Sequence, residues 1–368
     1  MTSFFPTIYT HSIPWAVLWK EEAKNNRSDT EWSNLLDKKS RNIKNGETNG
    51  IPIWPDTSNI ISELILSQID KELNIKYEYI RHIDDYICYL KTKEEAENFI
   101  KDLSLFLEKF QLSLNTKKTK IIELPETITE SWVSKLRNYM IPDEGKKWDY
   151  TKIQDYLDLS ISLSKEKWDY SPFKYAVKRI TKIQFNNFID FKKTLLYILW
   201  VIFNHPYIIS HLDILITKAL NKYQTSDNKK ELKLIVIKFL NEIIKEHVKY
   251  SRSDIIVWSI HLCIKYKIEI NDFDNIVKKI NINNDYISLV VSFYYAISNE
   301  LNIDIFYELL KSIDQFEWWL YIYELYNYDR DKVKKNITKI EYEDFYEYLS
   351  DNQITFYIDE YLTYEPPF

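Results

Sequence analysis

Residues 77–90 read Tyr-Glu-Tyr-Ile-Arg-His-Ile-Asp-Asp-Tyr-Ile-Cys-Tyr-Leu, and this stretch decides the fold. Two short segments rich in aromatic and β-branched residues flank the pair Asp84-Asp85. Segments of this composition on both sides of a polar bend are typical of a β-hairpin. The stretch therefore predicts two antiparallel strands with two carboxylates at the bend. Such a pair on its own is also ordinary turn chemistry.

The residues around this hairpin alternate between helical and turn patterns. Lys93–Phe110 has apolar side chains at spacings of three and four, which predicts a helix. Gly50–Asn59 opens a helix that runs to about Leu73, and Leu112–Ile122 predicts a turn followed by another strand. The first 145 residues are therefore expected to form an α+β domain.

The composition excludes several classes of protein. Of the 368 residues, 45% are hydrophobic and 28% are charged, which indicates a globular chain. The two cysteines, Cys88 and Cys263, are too far apart in sequence for a disulfide framework, which suits a reducing cytoplasm. The longest strongly apolar run, Leu195–Phe203, is about half of the length that crosses a bilayer. We predict a cytoplasmic protein without a membrane partner.

The charge is distributed unevenly along the chain, although the net charge is only −6. Residues 165–252 contain 17 basic and 8 acidic side chains, a net charge of +9. Residues 253–368 contain 10 basic and 21 acidic side chains, a net charge of −11. The basic block is a candidate surface for a nucleic-acid backbone. The alternative is a solvated lysine-rich face.

From about residue 150 onward the pattern is helical. Helices are predicted over these segments: Leu195–Phe203, Tyr207–Tyr223, Glu231–Tyr250 and Asp254–Tyr266. Ser253-Asp254 and Asn283-Asn284-Asp285 are plausible helix N-caps. The segments that begin at Asp254 and Asp285 resemble each other at an offset of 31 to 33 residues. Two helices per unit at that period predict a stacked α-solenoid, with an irregular bundle as the alternative. The aromatic residues between Trp318 and Tyr348 are interpreted as core and end-cap packing, because the acidic net charge there disfavours the alternative, a platform that stacks bases.

Four features in a fixed order place the acidic bend in a wider context. They are Ser3-Phe-Phe-Pro-Thr-Ile-Tyr9, Gly50-Ile-Pro-Ile-Trp-Pro-Asp-Thr-Ser-Asn59, Arg81-His-Ile-Asp-Asp-Tyr86 and Leu112-Ser-Leu-Asn-Thr-Lys-Lys-Thr-Lys-Ile121. This order resembles the palm of a reverse transcriptase, an RNA-directed DNA polymerase. The stretches Tyr9–Trp15, Glu123–Pro125 and Ser131–Val133 look most like the bacterial abortive-infection and phage-defence branch of that family.

The resemblance implies a domain organisation. Residues 1–145 would form a partial reverse-transcriptase palm, an antiparallel sheet with helices. Residues 146–368 would form an all-α domain with a thumb-like part and HEAT-like helical repeats. In the family a further catalytic aspartate stands four residues before the first of the paired aromatics, here Phe4. That position would directly precede Met1, so we expect an N-terminally truncated chain that lacks one of three carboxylates.

The resemblance also implies a metal site. Phosphoryl transfer to a 3′-hydroxyl uses two divalent ions, and Mg²⁺ prefers carboxylate oxygens. Asp84 and Asp85 match the family's catalytic and metal-binding pair, and Lys118 matches the lysine of its Leu-Asn-x-x-Lys-Thr motif. Lys118 would protonate or neutralise the departing pyrophosphate. Its alternative interpretation is an ordinary surface lysine.

Other positions match nucleotide-binding residues of the family. Phe5 matches the steric gate that selects deoxynucleotides, and Gly50 and Pro52 match the loop that positions nucleotide and template. The alternative interpretation of Phe5 is a core phenylalanine, and that of Gly50 is a simple turn glycine. Trp54 stands where relatives have glycine or serine, next to the nucleotide and template. His82 replaces the usual tyrosine or phenylalanine, and we expect it to pack beneath the hairpin as a neutral side chain, with a catalytic acid as the alternative.

The expected function is that of the C-terminal part of a defence-type reverse transcriptase. The intact enzyme would add dNTPs to a DNA 3′ end with Mg²⁺. Synthesis in relatives of this branch can be template-independent and protein-primed. This chain alone is expected to be inactive. The expected partners are dNTPs, DNA or RNA, and a second copy or a separate N-terminal polymerase fragment. The alternative is a non-enzymatic helical-repeat protein that binds a partner protein or nucleic acid.

Overall fold

The computed structural model describes residues 4–53, 55–125, 129–139, 147–222 and 226–357. The chain divides into two compact units, residues 1–128 and 129–368, and each has a hydrophobic core of its own. The sequence-based boundary, between residues 145 and 146, lies further along the chain. The identities of the two predicted domains stay a prediction.

The first unit combines six helices with one hairpin among its described residues. The helices are α1 (Phe4–Thr7), α2 (Ser12–Leu18), α3 (Lys20–Asn25), α4 (Trp32–Asn42), α5 (Asp56–Leu73) and α6 (Lys93–Lys109). The strands are β1 (Tyr79–His82) and β2 (Asp85–Cys88). The predicted hairpin, the helix that ends at Leu73 and the helix that begins at Lys93 are therefore confirmed.

Helix α5 lies at the centre of the first unit, where it packs against α2 and α6. The apolar residues of α5 and α6 recur at helical spacing, so each helix turns one stripe toward the core. These residues are at most 3% exposed: Ile65, Leu66, Ile69, Leu73, Leu103 and Leu107. The Thr92 hydroxyl accepts a hydrogen bond from the Glu95 N–H at 3.1 Å and caps the start of α6.

The predicted strand over Leu112–Ile122 is wrong, because the structure has a turn and irregular backbone there. The Asn115 side-chain oxygen accepts the Lys117 N–H at 3.1 Å, and the Asn115 carbonyl accepts the Lys118 and Thr119 N–H groups at 3.0 and 2.9 Å. This local pattern satisfies backbone groups that a strand ladder would otherwise use. Its cause is the asparagine, which offers the backbone an alternative to pairing.

The second unit is mostly helical. Its helices are α7 (Ser131–Asn138), α8 (Tyr150–Lys167), α9 (Ser171–Ile180), α10 (Phe188–Asn204), α11 (Leu212–Lys222), α12 (Ser226–His247), α13 (Ser253–Tyr266), α14 (Phe273–Ile282), α15 (Tyr286–Ser298), α16 (Asp304–Glu308), α17 (Trp319–Tyr328), α18 (Arg330–Asn336) and α19 (Glu343–Asp351). Short 3₁₀ helices cover Pro206–His211, Val248–Tyr250 and Leu309–Ser312. In the part of the chain that the structure describes, no helix combines the length and apolarity that a bilayer crossing requires.

Two details of the second unit differ from the all-α expectation. A two-residue strand β3 (Lys147–Trp148) pairs in parallel with β4 (Gln184–Phe185), and the Trp148 and Phe185 side chains are only 2% exposed. The predicted helix over Tyr207–Tyr223 begins as a 3₁₀ helix at Pro206. Strands β3 and β4 have only two residues each, which is too short to give a period-two signal in the sequence.

Three helices of the second unit begin at regular intervals. Helices α13, α15 and α17 begin at Ser253, Tyr286 and Trp319, 33 residues apart, and α15 packs against both α13 and α17. Asp285 caps α15, because its side chain accepts the Ser288 N–H at 3.1 Å. The predicted cap at Ser253-Asp254 is wrong, since α13 begins at Ser253 without a side-chain cap. The spacing agrees with the predicted period, and the solenoid stays an interpretation.

The aromatic-rich end of the chain supplies much of the core of the second unit. Tyr321, Tyr323 and Tyr346 are fully buried, and Trp318 is 4% exposed. The Tyr321 hydroxyl donates to the Phe306 carbonyl at 2.8 Å, which satisfies its polar end inside the core. The interpretation of these aromatics as core packing is confirmed for the buried members. Tyr328, Phe345 and Tyr348 are about half exposed.

Candidate functional site

The bend of the hairpin is a two-residue turn formed by Ile83 and Asp84. The strands pair His82 with Asp85 and Arg81 with Tyr86, so Asp85 is the first residue of β2. Ile83 has a φ of +53°, a conformation that a β-branched residue rarely adopts. Strained backbone of this kind persists only where the surrounding contacts hold it. Asp84 is half-buried and Asp85 is exposed, so both carboxylates lie at the rim of the first unit.

The two faces of the hairpin differ. Tyr79 and Tyr86 lie on the inner face, with ring centroids 5.4 Å apart, and pack against the core of the first unit. The cross-strand pair Ile80 and Ile87 lies on the outer face, 62% and 52% exposed. His82 is exposed as well, so the expectation that it packs beneath the hairpin is wrong. Side chains alternate between the faces of a strand, and the register places His82 on the outer one.

Arg81 fastens the hairpin to α5. Its Nε and Nη2 donate to Asp70 Oδ2 at 2.9 and 2.7 Å, and its Nη1 and Nη2 donate to the two Glu63 oxygens at 2.7 and 2.8 Å. Nη1 also donates to the Ile83 carbonyl at 2.9 Å. The planar guanidinium suits such a forked arrangement. One side chain thus joins the strained turn to two carboxylates of the central helix.

The single guanidinium of Arg81 faces two carboxylates, those of Glu63 and Asp70. The hydrogen bond that Arg81 donates holds the pKa of Glu63 below its usual range, and donation to Glu63 and then to Asp70 raises the pKa of Arg81. Tyr79 donates to Asp70 Oδ1 at 2.6 Å. Burial, followed by this hydrogen bond, raises the pKa of Tyr79. Tyr79 therefore stays protonated at neutral pH and remains a donor to Asp70.

The segments that contain Phe5 and Gly50 are paired. The Ile51 N–H donates to the Phe5 carbonyl at 3.0 Å, and the Gly50 N–H donates to the Ile8 carbonyl at 2.7 Å. Gly50 has a φ of +83°, and a Cβ at this position would lie 2.8 Å from the Pro6 carbonyl oxygen. The glycine is therefore required by its conformation and by the close approach of the two segments.

The remaining predicted positions have different surroundings. Phe5 and Pro52 are half-buried, and the Phe5 ring lies 5.3 Å from that of Phe4. Lys118 is an exposed residue of the turn that follows Asn115. Trp54 lies outside the described residues. The roles assigned to all of these residues stay predictions.

The donor chemistry at the bend suits a hard divalent cation. Asp84 and Asp85 offer carboxylate oxygens, and Mg²⁺ is commonly held by one or two carboxylates together with water and substrate phosphates. Over the described ranges, no group of three or more His, Cys, Asp or Glu side chains is arranged to hold a metal ion. The structure thus shows two adjacent carboxylates at the bend and, among the residues that it describes, no larger cluster of metal-ligating side chains.

A comparison with protein families gives one match. The sequence model of the family described as reverse transcriptase (RNA-dependent DNA polymerase) matches residues 10–170. The matched range contains the Gly50 segment, the hairpin and Lys118, whereas Phe5 lies just before it. No curated protein gives a significant match to the chain. Residues 10–170 thus match a reverse transcriptase domain, which in general implies nucleotide polymerisation and the binding of nucleic acid and dNTPs.

Three residues that hold the hairpin had no predicted role. Arg81 belongs to the motif Arg81–Tyr86, and Glu63 and Asp70 lie on the predicted helix that ends near Leu73. A signal was present, because Glu63 and Asp70 are seven residues apart on a predicted helix and so share one face. An arginine two residues before the bend is the natural partner for such a pair. Only the structure shows that Arg81 also binds the Ile83 carbonyl.

Proposed function

We propose that this chain is part of a reverse transcriptase of the bacterial abortive-infection and phage-defence branch, in which Asp84 and Asp85 bind Mg²⁺ for nucleotide joining. The supporting observation is the combination of the family match over residues 10–170 with a hairpin that presents two adjacent aspartates at its bend. The bound ion would polarise the phosphoryl group and lower the pKa of the attacking hydroxyl. Arg81 would hold the bend that carries the two aspartates, through its hydrogen bond to the Ile83 carbonyl.

The other predicted residues are assigned the roles that their family positions suggest. Phe5 would exclude a ribose 2′-hydroxyl, and the Gly50–Pro52 segment would position nucleotide and template. Lys118 would neutralise the pyrophosphate that leaves. The pairing of the Phe5 and Gly50 segments favours a common role for them. Trp54 would contact the nucleotide or the template.

The wider biological proposal follows the family branch. The intact enzyme would extend DNA by a two-metal mechanism in the cytoplasm, and, as in relatives of this branch, its synthesis can be template-independent and protein-primed. The second unit would comprise the thumb-like part and the HEAT-like repeats. Because Asp84 and Asp85 are only two carboxylates, a further oxygen donor would come from a second copy or from a separate polymerase fragment. The purified chain alone is then expected to incorporate no dNTP.

A second function is favoured by one observation. No set of three metal-ligating side chains is assembled among the residues that the structure describes. A chain with an incomplete metal site can serve as a non-enzymatic binding protein, with the helices of the second unit holding a partner protein or nucleic acid. Retention of the aspartate pair favours the enzyme instead.

Binding of a divalent ion tests the first proposal directly. Mn²⁺ is a paramagnetic probe for Mg²⁺ sites, and the loss of its free electron-spin-resonance signal measures binding. We expect weak binding of about one ion, abolished in the double variant Asp84→Asn, Asp85→Asn. Glu21 and Glu22 form an exposed adjacent pair on α3, so Glu21→Gln, Glu22→Gln is a matched control. Equal binding by all three proteins would contradict the metal site.

An incorporation assay separates the enzyme from the binding protein. Labelled dNTPs are supplied with Mg²⁺ or Mn²⁺, with and without a primed template. We expect no incorporation by the chain alone and, in a lysate of the source cells, incorporation that depends on Asp84 and Asp85. Incorporation by the purified chain would show that its own residues complete the site. Specific binding of Mn²⁺ without incorporation in either setting would favour the non-enzymatic function.

A further inference from the structure

A second candidate site lies in the other unit, between α8 and α10. A cavity of about 230 Å³ is lined on one side by Trp200 and Asn204 of α10 and on the other by Lys165 of α8. Tyr170 and His205 complete it, with ring centroids 3.9 Å apart and a hydrogen bond between the Tyr170 hydroxyl and His205 Nε2. Pockets for drug-sized ligands measure roughly 300–1,000 Å³, so this cavity has room for a single ring system.

Three of the seven residues that line this cavity carry rings, and exposed apolar surface continues beyond it along α10. The Trp200 side chain is 62% exposed, although a residue of this size is usually buried. Leu196 and Phe203 are 44% and 41% exposed and lie on the same helix face, four residues before and three residues after Trp200. Contiguous exposed apolar surface is typical of interaction sites. The exposed indole offers a flat face for stacking.

The charges next to the cavity select the kind of ligand. Lys165 is exposed, and among the described residues no carboxylate lies within 4.0 Å of its ammonium group. Burial, followed by the charge of Lys165, lowers the pKa of His205, so its ring is neutral at pH 7. The cavity belongs to the segment 165–252, whose net charge is +9. A planar aromatic group attached to a phosphate complements both the ring surface and the charge.

We propose that this cavity is a binding subsite for single-stranded nucleic acid, in which one base stacks on Trp200 and the adjoining phosphate pairs with Lys165. Single strands are commonly bound by aromatic side chains that stack on bases, beside basic groups that follow the backbone. Asn204 is exposed at the rim, and its Nδ2 donates to the Trp200 carbonyl at 2.8 Å, so the amide oxygen is the group that can accept a hydrogen bond from a base edge. The site uses no metal and none of the residues of the hairpin.

The experiment measures binding of a fluorescent oligothymidylate of about ten nucleotides, by anisotropy and in EDTA. We expect Trp200→Ala to weaken binding roughly tenfold, in line with the loss of one stacked base. Lys165→Gln should lower the slope of log affinity against log salt concentration by about one unit. Trp200→Phe should retain part of the affinity, because a smaller ring still stacks. Trp200 is mostly exposed, so its replacement leaves the core intact.

The control is Trp258→Ala, which removes another partly exposed tryptophan of the same unit, 42% exposed and outside the basic segment. Equal weakening by Trp200→Ala and Trp258→Ala would overturn the proposal, as would the absence of salt-dependent binding by the unmodified chain. If dTMP bound as tightly as the oligonucleotide, the ligand of this site would be a free nucleotide and not a single strand, which would overturn the proposal. A change of oligomeric state in Trp200→Ala would make the stripe a self-association surface instead. The variant Asp84→Asn, Asp85→Asn should bind normally, which separates this inference from the polymerase proposal.

Discussion

Two glycines of the first unit have nearly the same backbone conformation and different surroundings. Gly46 has a φ of +86° and no atom within 4 Å of a Cβ placed on it, whereas a Cβ on Gly50 would lie 2.8 Å from the Pro6 carbonyl oxygen. Alanine in the left-handed region costs about 1–2 kcal/mol at either position. Gly50→Ala carries the steric conflict in addition, since Pro6 belongs to the paired backbone segment.

We therefore expect Gly50→Ala to destabilise the first unit by at least about 1 kcal/mol more than Gly46→Ala. Urea unfolding followed by tryptophan fluorescence measures the difference, because Trp15 is buried in the core of the first unit. Equal midpoints for the two variants would mean that the Phe5 and Gly50 segments are not held together as described.

The two carboxylates that bind Arg81 are expected to contribute differently to the free energy of unfolding. Asp70 is 19% exposed and accepts hydrogen bonds from both Arg81 and Tyr79, whereas Glu63 is 54% exposed. Loss of the Asp70 charge leaves the sheltered Arg81 with the exposed Glu63 as its remaining carboxylate partner, while an exposed pair contributes at most about 1 kcal/mol. Asp70→Asn should therefore cost about 2–3 kcal/mol, clearly more than Glu63→Gln.

Chemical denaturation of the two variants tests this order. A third variant, Arg81→Lys, keeps the charge and removes the forked geometry, and it should lose the contact with the Ile83 carbonyl. In that variant, the binding free energy of Mn²⁺ at Asp84 and Asp85 should fall by more than the free energy of unfolding does. The reason is that the lysine no longer holds the Ile83 carbonyl, and with it the turn. Parallel losses in both measurements would assign Arg81 a general structural role.

At the scale of elements, the hairpin and helices α5 and α6 could be predicted because their signals are local. Asp84-Asp85 lies between two β-prone segments, and the apolar residues of Lys93–Phe110 follow the helical period. The contacts of the candidate site could not be predicted in this way. The bond from Arg81 to Ile83 and the pairing of Gly50 with Ile8 depend on how distant segments meet. The prediction of a strand over Leu112–Ile122 was wrong because hydrogen bonds to Asn115 turn the backbone there.

The end of α12 gives the second unit a pH-dependent stability. His247 is 6% exposed, and neither of its ring nitrogens has a hydrogen-bond partner among the described residues. Burial, followed by the charge of Arg252, lowers the pKa of His247 below its ordinary value of 6.5. The unfolded chain then takes up a proton at a higher pH than the folded chain does. Stability is therefore fully present above about pH 6.5 and falls as the pH drops below it.

We expect the urea midpoint of the second unit to be lower at about pH 5.5 than at about pH 7.5. Part of this difference should disappear in His247→Leu, which removes the titrating group from the buried position. His205 and His211 also have lowered pKa values because of burial, so a remainder should persist. A pH dependence unaltered in His247→Leu would contradict the assignment.

At the scale of the whole molecule, the extent of the second unit can be tested with two fragments. The sequence places the boundary before residue 146, whereas the compact unit begins at residue 129 and includes α7. Leu136 of α7 is fully buried in the core of the second unit, and Arg179 donates to the Leu136 carbonyl at 2.7 Å. Trp132 packs edge-on against Tyr175, with ring centroids 5.9 Å apart. Helix α7 therefore belongs physically to this unit.

A fragment of residues 129–368 should fold alone, with a helical circular dichroism spectrum and a cooperative thermal transition. A fragment of residues 146–368 lacks α7, which exposes the surface beneath Leu136 and leaves Arg179 without its acceptor. Loss of a fully buried leucine alone costs about 2–5 kcal/mol, so the shorter fragment should melt at a clearly lower temperature. Identical melting temperatures would show that α7 adds nothing to the second unit and would favour the boundary derived from the sequence. The longer fragment should also retain the binding of oligothymidylate, because every residue of the proposed cavity lies within it.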